Sequence, residues 1–144
     1  MVDAVVDGLH LIFKDDHQPE KVVYHLVRKD RRWGSRDRAF IASSVFNIVR
    51  GWRCYWNGLD ESWKGDKEEL YKICEMYLNN VACKHKDWMI SQSVSASVNS
   101  LGEQELGKER WRRELEAMNE QAPVFLRVNS LKKNKEDLIE ELKL

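Results

Sequence analysis

Arg36-Asp37-Arg38-Ala39-Phe40-Ile41-Ala42-Ser43-Ser44-Val45-Phe46-Asn47-Ile48-Val49-Arg50-Gly51-Trp52-Arg53-Cys54-Tyr55-Trp56 is the stretch on which the fold reading turns. Phe40, Ile41, Val45, Ile48, Val49, Trp52 and Trp56 recur in it at steps of three and four, which lays them on one face of a helix. A helix over 36–56 runs about 30 Å at about 1.5 Å per residue. That is long enough to be the buried central helix of a bundle. Gly34 breaks the chain ahead of it. Ser35 reads as its N-cap, with Asp37 near the positive end of the helix dipole.

Upstream, Val2, Val5, Val6, Leu9, Ile12 and Phe13 form one stripe, closed by Asp15 and Asp16. Pro19 suits the first turn of a second helix carrying Val22, Val23, Leu26 and Val27. Downstream, Asn57 to Lys67 reads as a loop. Asp66 with Glu69 makes a variant capping box ahead of Leu70, Ile73, Cys74, Tyr77, Leu78 and Val81. Residues 91–100 hold five serines, and composition leaves helix and loop both open there. Glu103 to Asn119 is helical again, with Trp111, Leu115 and Met118 on one side. The period then changes. After Pro123, Val124, Leu126 and Val128 alternate with Phe125 and Arg127, the one convincing strand. Asn134 with Asp137 opens a final amphipathic helix. One strand makes no sheet, so its partners are expected beyond Leu144 or in another molecule. The fold class is mostly α, a helical bundle followed by a short strand–helix piece, with a boundary between residues 1–88 and 89–144.

A chain of 144 residues can bury one ordinary core. Hydrophobic residues at 42% and charged residues at 33% describe a globular rather than a disordered chain. No apolar run approaches the roughly 20 residues of a membrane helix, so no membrane partner is expected. Met1-Val2-Asp3-Ala4 has no signal-peptide character, which makes the cytoplasm the expected location. Three cysteines at irregular spacing then read as reduced thiols.

Lys+Arg 24 against Asp+Glu 24 gives zero net charge, but the charge is uneven. Residues 28–38 carry six basic side chains, Arg28, Lys29, Arg31, Arg32, Arg36 and Arg38, against Asp30 and Asp37. Basic residues at the end of the second helix suit its dipole. Concentrated at a helix–loop–helix corner, they also offer forks for phosphate oxygens and counterion release, and nucleic-acid backbone contact is the favoured reading. Arg50 and Arg53 extend the patch along the third helix. Lys132 and Lys133, with Lys135, form a second group. Trp33 sits among the arginines and either stacks on a base or staples the helix entry to the core. Trp52, Trp56 and Trp111 lie on stripes and read as core.

Catalytic signals are weak. His10, His17, His25 and His85 do not fall at metal-ligand spacing with a cysteine pair, and Cys83-Lys84-His85 reads as a surface turn rather than a metal site. Cys54 and Cys74 read as buried structural thiols. No glycine-rich phosphate loop follows a strand. The expectation is no catalytic residue, no metal and no cofactor in this chain.

Two stretches carry a family resemblance. Arg36–Arg50 is similar to the "RDRAF…LVYGVLR" helix, and Ala122-Pro123-Val124-Phe125-Leu126-Arg127-Val128-Asn129-Ser130-Leu131-Lys132 to the "P…LRVNTLK" strand, of the Sun/RsmB-type rRNA cytosine-C5 methyltransferases. Where that family carries Ser-aliphatic-Pro-acidic-Trp-Leu, this chain reads Ser93-Val94-Ser95-Ala96-Ser97-Val98. The resemblance implies a NusB-like helical RNA-binding domain over 1–88. It implies a helical linker and the start of the methyltransferase N-terminal subdomain over 89–144. It further implies rRNA as partner and a downstream Rossmann-type catalytic domain that binds S-adenosylmethionine. No catalytic residue of that family maps onto this chain. Arg36 and Arg38 match its motif directly. On this reading the parent protein is a methyltransferase, while these 144 residues alone are not an enzyme. The alternatives are a stand-alone NusB-like antitermination factor, which leaves the strand unexplained, and a purely structural interaction domain.

Overall fold

The computed structural model describes residues 1–59, 66–81, 86–120, 122–123 and 125–142. Cys83, His85 and Val124, named above, and residues 60–65 of the expected Asn57–Lys67 loop lie outside the described residues. The described chain is helical: α1 (Val2–Phe13), α2 (Pro19–Lys29), α3 (Ser35–Arg50), α4 (Trp52–Asn57), α5 (Lys67–Leu78), α6 (Trp88–Ser91), α7 (Ala96–Leu106), α8 (Lys108–Asn119) and α9 (Lys135–Leu142).

Helices α1 to α5 form the bundle. Val5, Val6, Leu9 and Ile12 of α1 meet Val22, Val23 and Leu26 of α2, Ile41, Val45 and Ile48 of α3, and Leu70 and Ile73 of α5. The centre is not the third helix alone. Helix α1 buries six residues and α3 four, because α1 is apolar over more of its circumference. Gly8 lets α1 approach α2 closely: a Cβ there would lie 2.5 Å from Leu26 Cδ1. At the lower end of α1, Phe13 stacks on Trp52, with ring centroids 3.6 Å apart, and Trp56 continues the column.

Several expected helix signals work as chemistry. Pro19 occupies the first turn of α2. Asp66 accepts from the Glu69 N–H at 3.0 Å. Asn134 Oδ1 accepts from the Asp137 N–H at 2.8 Å. Others differ. Gly34, not Ser35, is the N-cap of α3, and Asp37 accepts the Gly34 N–H at 2.9 Å. The expected 36–56 helix is divided at Gly51, whose ψ of 10° departs from the helical value. The expected 103–119 helix is divided at Gly107, which has φ 75°. The serine-rich stretch 91–100 is both helix and loop: Ser91 ends α6, residues 92–95 form a connecting turn, and α7 starts at Ala96, where the N-cap Ser95 Oγ accepts from the Val98 N–H at 3.3 Å.

Helices α7 and α8 form a corner of their own around Trp111. Its indole N–H donates to Asn99 Oδ1 at 2.8 Å, and its ring lies over Gly102. Met118, expected beside Trp111 and Leu115, is 68% exposed. The α7–α8 corner reaches the bundle through α6. Asn119 donates to Gln92, Arg112 lies over the Trp88 ring, and Ser93 Oγ accepts the Arg53 N–H.

The expected strand is not paired among the described residues. Residues 125–129 run without regular structure, and Phe125 is 87% exposed. A ladder needs a second strand, and none is offered by the described residues. The cysteines also depart from expectation. Cys74 is a buried free thiol, whereas Cys54 is disulfide-bonded. The expectation of reduced thiols rested on compartment, which says nothing about which sulfur atoms meet.

Gly102→Ala tests the corner. The new Cβ would fall 2.2–2.6 Å from three Trp111 ring atoms. Displacing that ring costs about 1–3 kcal/mol, only partly offset by alanine's helix propensity of up to about 1 kcal/mol. Amide exchange of α7 and α8 is expected to speed up while that of α1 is unchanged.

Candidate nucleic-acid interface

The α2–α3 turn spans Asp30 to Gly34, so the six basic residues of the 28–38 stretch stay together in space. Its shape is set by Asp30. That carboxylate accepts the Arg32 backbone N–H at 2.9 Å, Arg32 Nε at 3.0 Å and Arg32 Nη2 at 2.7 Å. The Asp30 carbonyl accepts the Trp33 N–H at 3.3 Å. Hydrogen bonds from the Arg32 side chain and backbone hold the Asp30 carboxyl down at about 2. The same pairing pushes Arg32 up.

The basic side chains differ in freedom. Arg28 places its guanidinium 3.5 Å from the Tyr24 ring centroid. Lys29 faces Asp7 at 3.9 Å. Arg32 is tied to Asp30, yet its side chain is 90% exposed. Arg31, Arg36 and Arg38 are exposed and have no ion-pair partner among the described residues. Trp33 is half-buried and packs against the core cluster. It occupies the place of a staple, which the sequence left open against base stacking.

The remaining candidates are not all brought to this corner. Arg36 and Arg50 stand at opposite ends of α3, about 21 Å apart along the axis. Arg50 and Arg53 are exposed beside α4. Lys132 follows the Asn129 turn, and Lys133 pairs with Glu141 of α9. The structure therefore presents one compact basic corner and separate outlying charges.

Sequence spacing missed a neighbour of the corner. A cleft of about 600 Å³ opens between α1 and α2, and His10, His17 and His25 all line it. Their separations in sequence carry no signal, because the cleft needs α1 and α2 to fold back on each other. Among the described residues no group of three His, Cys, Asp or Glu side chains is placed to hold a metal ion. Cys74 is pushed up to about 12 by burial, which keeps it a thiol at neutral pH and makes it a poor nucleophile. No helix among the described residues is long and apolar enough to cross a membrane.

The Asp30–Arg32 pair makes a pH prediction. A depressed carboxyl contributes stability above the ordinary carboxylate range and loses it as pH falls toward about 2. Carbon-13 titration of Asp30 is expected to show a midpoint near 2. In Arg32→Ala that midpoint is expected to return toward the ordinary value of about 3.9.

No curated protein and no solved structure matches the chain. A family model does, that of the ferredoxin-like domain of the RsmF/B-like methyltransferases, over residues 100–144. The matched segment starts within α7 and includes α8, the unpaired 125–129 stretch and α9. The resemblance to the Sun/RsmB-type rRNA methyltransferases that Ala122–Lys132 carries is thus borne out over residues 100–144, which match the ferredoxin-like domain of the RsmF/B-like methyltransferases.

Proposed function

We propose that this chain is the RNA-capturing front portion of an S-adenosylmethionine-dependent rRNA cytosine-C5 methyltransferase. Helices α1 to α5 form a NusB-like unit that holds rRNA by its phosphates, at the corner of Arg28, Lys29, Arg31, Arg32, Arg36 and Arg38. The matched 100–144 segment leads into a catalytic domain that supplies the cofactor site and the reaction.

The observation that carries the RNA reading is the placement of Arg36 and Arg38. Both lie in the first turn of α3, at the positive end of its dipole. For stability alone, acids belong there and arginines are unfavourable. Cations added to a helix N-terminus raise the local positive potential, which suits an incoming phosphate. Arg31 lies in the adjoining turn and adds to the same field.

The C-terminal piece supports the methyltransferase reading independently. In a ferredoxin-like βαββαβ arrangement a first strand needs partner strands from the same domain. Residues 125–129 supply alternating apolar side chains, and α9 follows as the first crossover helix. Phe125, Leu126 and Leu131 are exposed here and would be covered by such partners. A stand-alone antitermination factor leaves this piece without a purpose.

A titration with a small-subunit rRNA fragment at several salt concentrations tests the capture role. Affinity is expected to fall steeply with salt. In Arg31→Glu/Arg36→Glu, affinity is expected to drop at least tenfold, and the logarithmic salt slope to become shallower by about 1.4 for two lost single-strand phosphate contacts. Equal binding by both proteins, or no binding by either at low salt, overturns it.

A further inference from the structure

The α1–α2 cleft is built differently from the corner beside it. Its floor is apolar: Leu11, Val22 and Leu26 line it. Its rim is cationic and aromatic. Lys21, His25 and Arg28 follow at steps of four and three on α2, so they share one helix face. Lys29 closes the same side. From across the cleft come half-buried His10 of α1 and Lys67 at the start of α5.

His17 is placed there by the loop. Asp16 adopts φ 54°, and the His17 N–H donates to the Leu11 carbonyl at 3.1 Å. That bond folds the α1–α2 connection back over the cleft and holds the imidazole at its mouth. Asp7 is the acid that lines the cleft. It is engaged by Lys67 at 2.6 Å and faces Lys29 at 3.9 Å. Among the described residues, four cationic side chains and one carboxylate line the cleft, a positive balance.

An apolar floor with a cationic rim selects neither a simple anion nor a simple hydrophobe. A bare phosphate gains nothing from Leu11, Val22 and Leu26. An alkyl chain gains nothing from three imidazoles and four cations. The fitting ligand has a flat ring and a phosphate joined by a short polar spacer. The cleft volume of about 600 Å³ falls within the roughly 300–1,000 Å³ of small-ligand sites. We infer that this cleft binds a nucleoside monophosphate unit. The base lies on the apolar floor against the imidazoles, and the phosphate meets the rim of Lys21, Arg28 and Lys29.

Such a unit is either a free nucleotide or one residue of a single-stranded RNA. Both sources share the ring-plus-phosphate chemistry. Arg28 and Lys29 belong to both the corner and the cleft rim, whereas Arg31 and Arg36 do not line the cleft and Lys21 and His25 do, so variants at those two pairs separate this inference from the RNA reading of the corner.

The test is a titration of the full chain with AMP, adenosine and inorganic phosphate, followed at the imidazole resonances of His10, His17 and His25. AMP is expected to bind saturably and at least tenfold more tightly than either of the other two. Lys21→Glu/His25→Ala alters two exposed positions, and circular dichroism checks that its helices persist. It is expected to weaken AMP at least tenfold, while Arg31→Glu/Arg36→Glu leaves AMP affinity unchanged. Absence of saturation by AMP, equal binding of adenosine or phosphate, or unchanged AMP affinity in Lys21→Glu/His25→Ala overturns the inference. Hexa-adenylate separates the sources. Binding tenfold tighter than AMP, lost in the cleft variant, assigns the site to an RNA residue. Binding no tighter than AMP assigns it to a free nucleotide.

Discussion

Helix α1 is packed by α2, α3 and α5 at once, and its close approach to α2 is possible because residue 8 is glycine. A side chain at Gly8 would meet Leu26 Cδ1 at 2.5 Å, Val45 Cγ2 at 3.5 Å and Val22 Cγ1 at 3.6 Å. These three residues belong to the core through which α2 and α3 are held together. Burying each such aliphatic side chain contributes about 1.5–3 kcal/mol, and it is this packing that fixes where α2 ends and α3 begins. The basic turn at 30–34 inherits its position from that geometry. So does the cleft, which opens where α1 and α2 are spanned by the loop that carries His17.

The electrostatics of the corner follow from the helix ends. Arg28 and Lys29 sit at the negative end of α2, where cations are favourable. Arg36 and Arg38 sit at the positive end of α3, where they are not. Asp30 and Asp37 compensate locally, the first by gripping Arg32 and the second by capping Gly34. The turn is thereby held in shape by its acids while its remaining arginines face water. An arrangement that spends its carboxylates on backbone order and leaves its guanidinium groups exposed is suited to meeting phosphate oxygens.

Much of the bundle was legible because apolar spacing reports a buried helix face directly. The stripes of α1, α2, α3 and α5 and the signals at Pro19, Asp66 and Asn134 all depend on neighbours within four residues. The breaks at Gly51 and Gly107 were not legible, since glycine is tolerated inside helices and its backbone angles are chosen by the packing around it. The strand expected after Pro123 is not formed among the described residues, because alternation reports a strand's faces and supplies no partner to pair with. The same division governs the site. The six basic residues of 28–38 form one corner because a short turn joins them. Arg50, Arg53, Lys132 and Lys133 do not join it, because helix length and a separate C-terminal turn carry them elsewhere. Trp33 packs on the core, as a large aromatic beside a bundle does. His10, His17 and His25 lack metal-ligand spacing in the sequence, and their shared cleft was not legible there because only the fold brings them together.

The central claim is that nucleic acid meets this chain at the α2–α3 corner and the adjoining face of α2. Amide nitrogen-15 chemical-shift mapping during titration with a single-stranded rRNA fragment tests it most directly. The account predicts perturbations concentrated over residues 21–38, with α8 and α9 unaffected. Perturbations confined to α7, α8 and α9, or spread evenly over every basic residue including Arg50, Arg53 and Lys132, would contradict it.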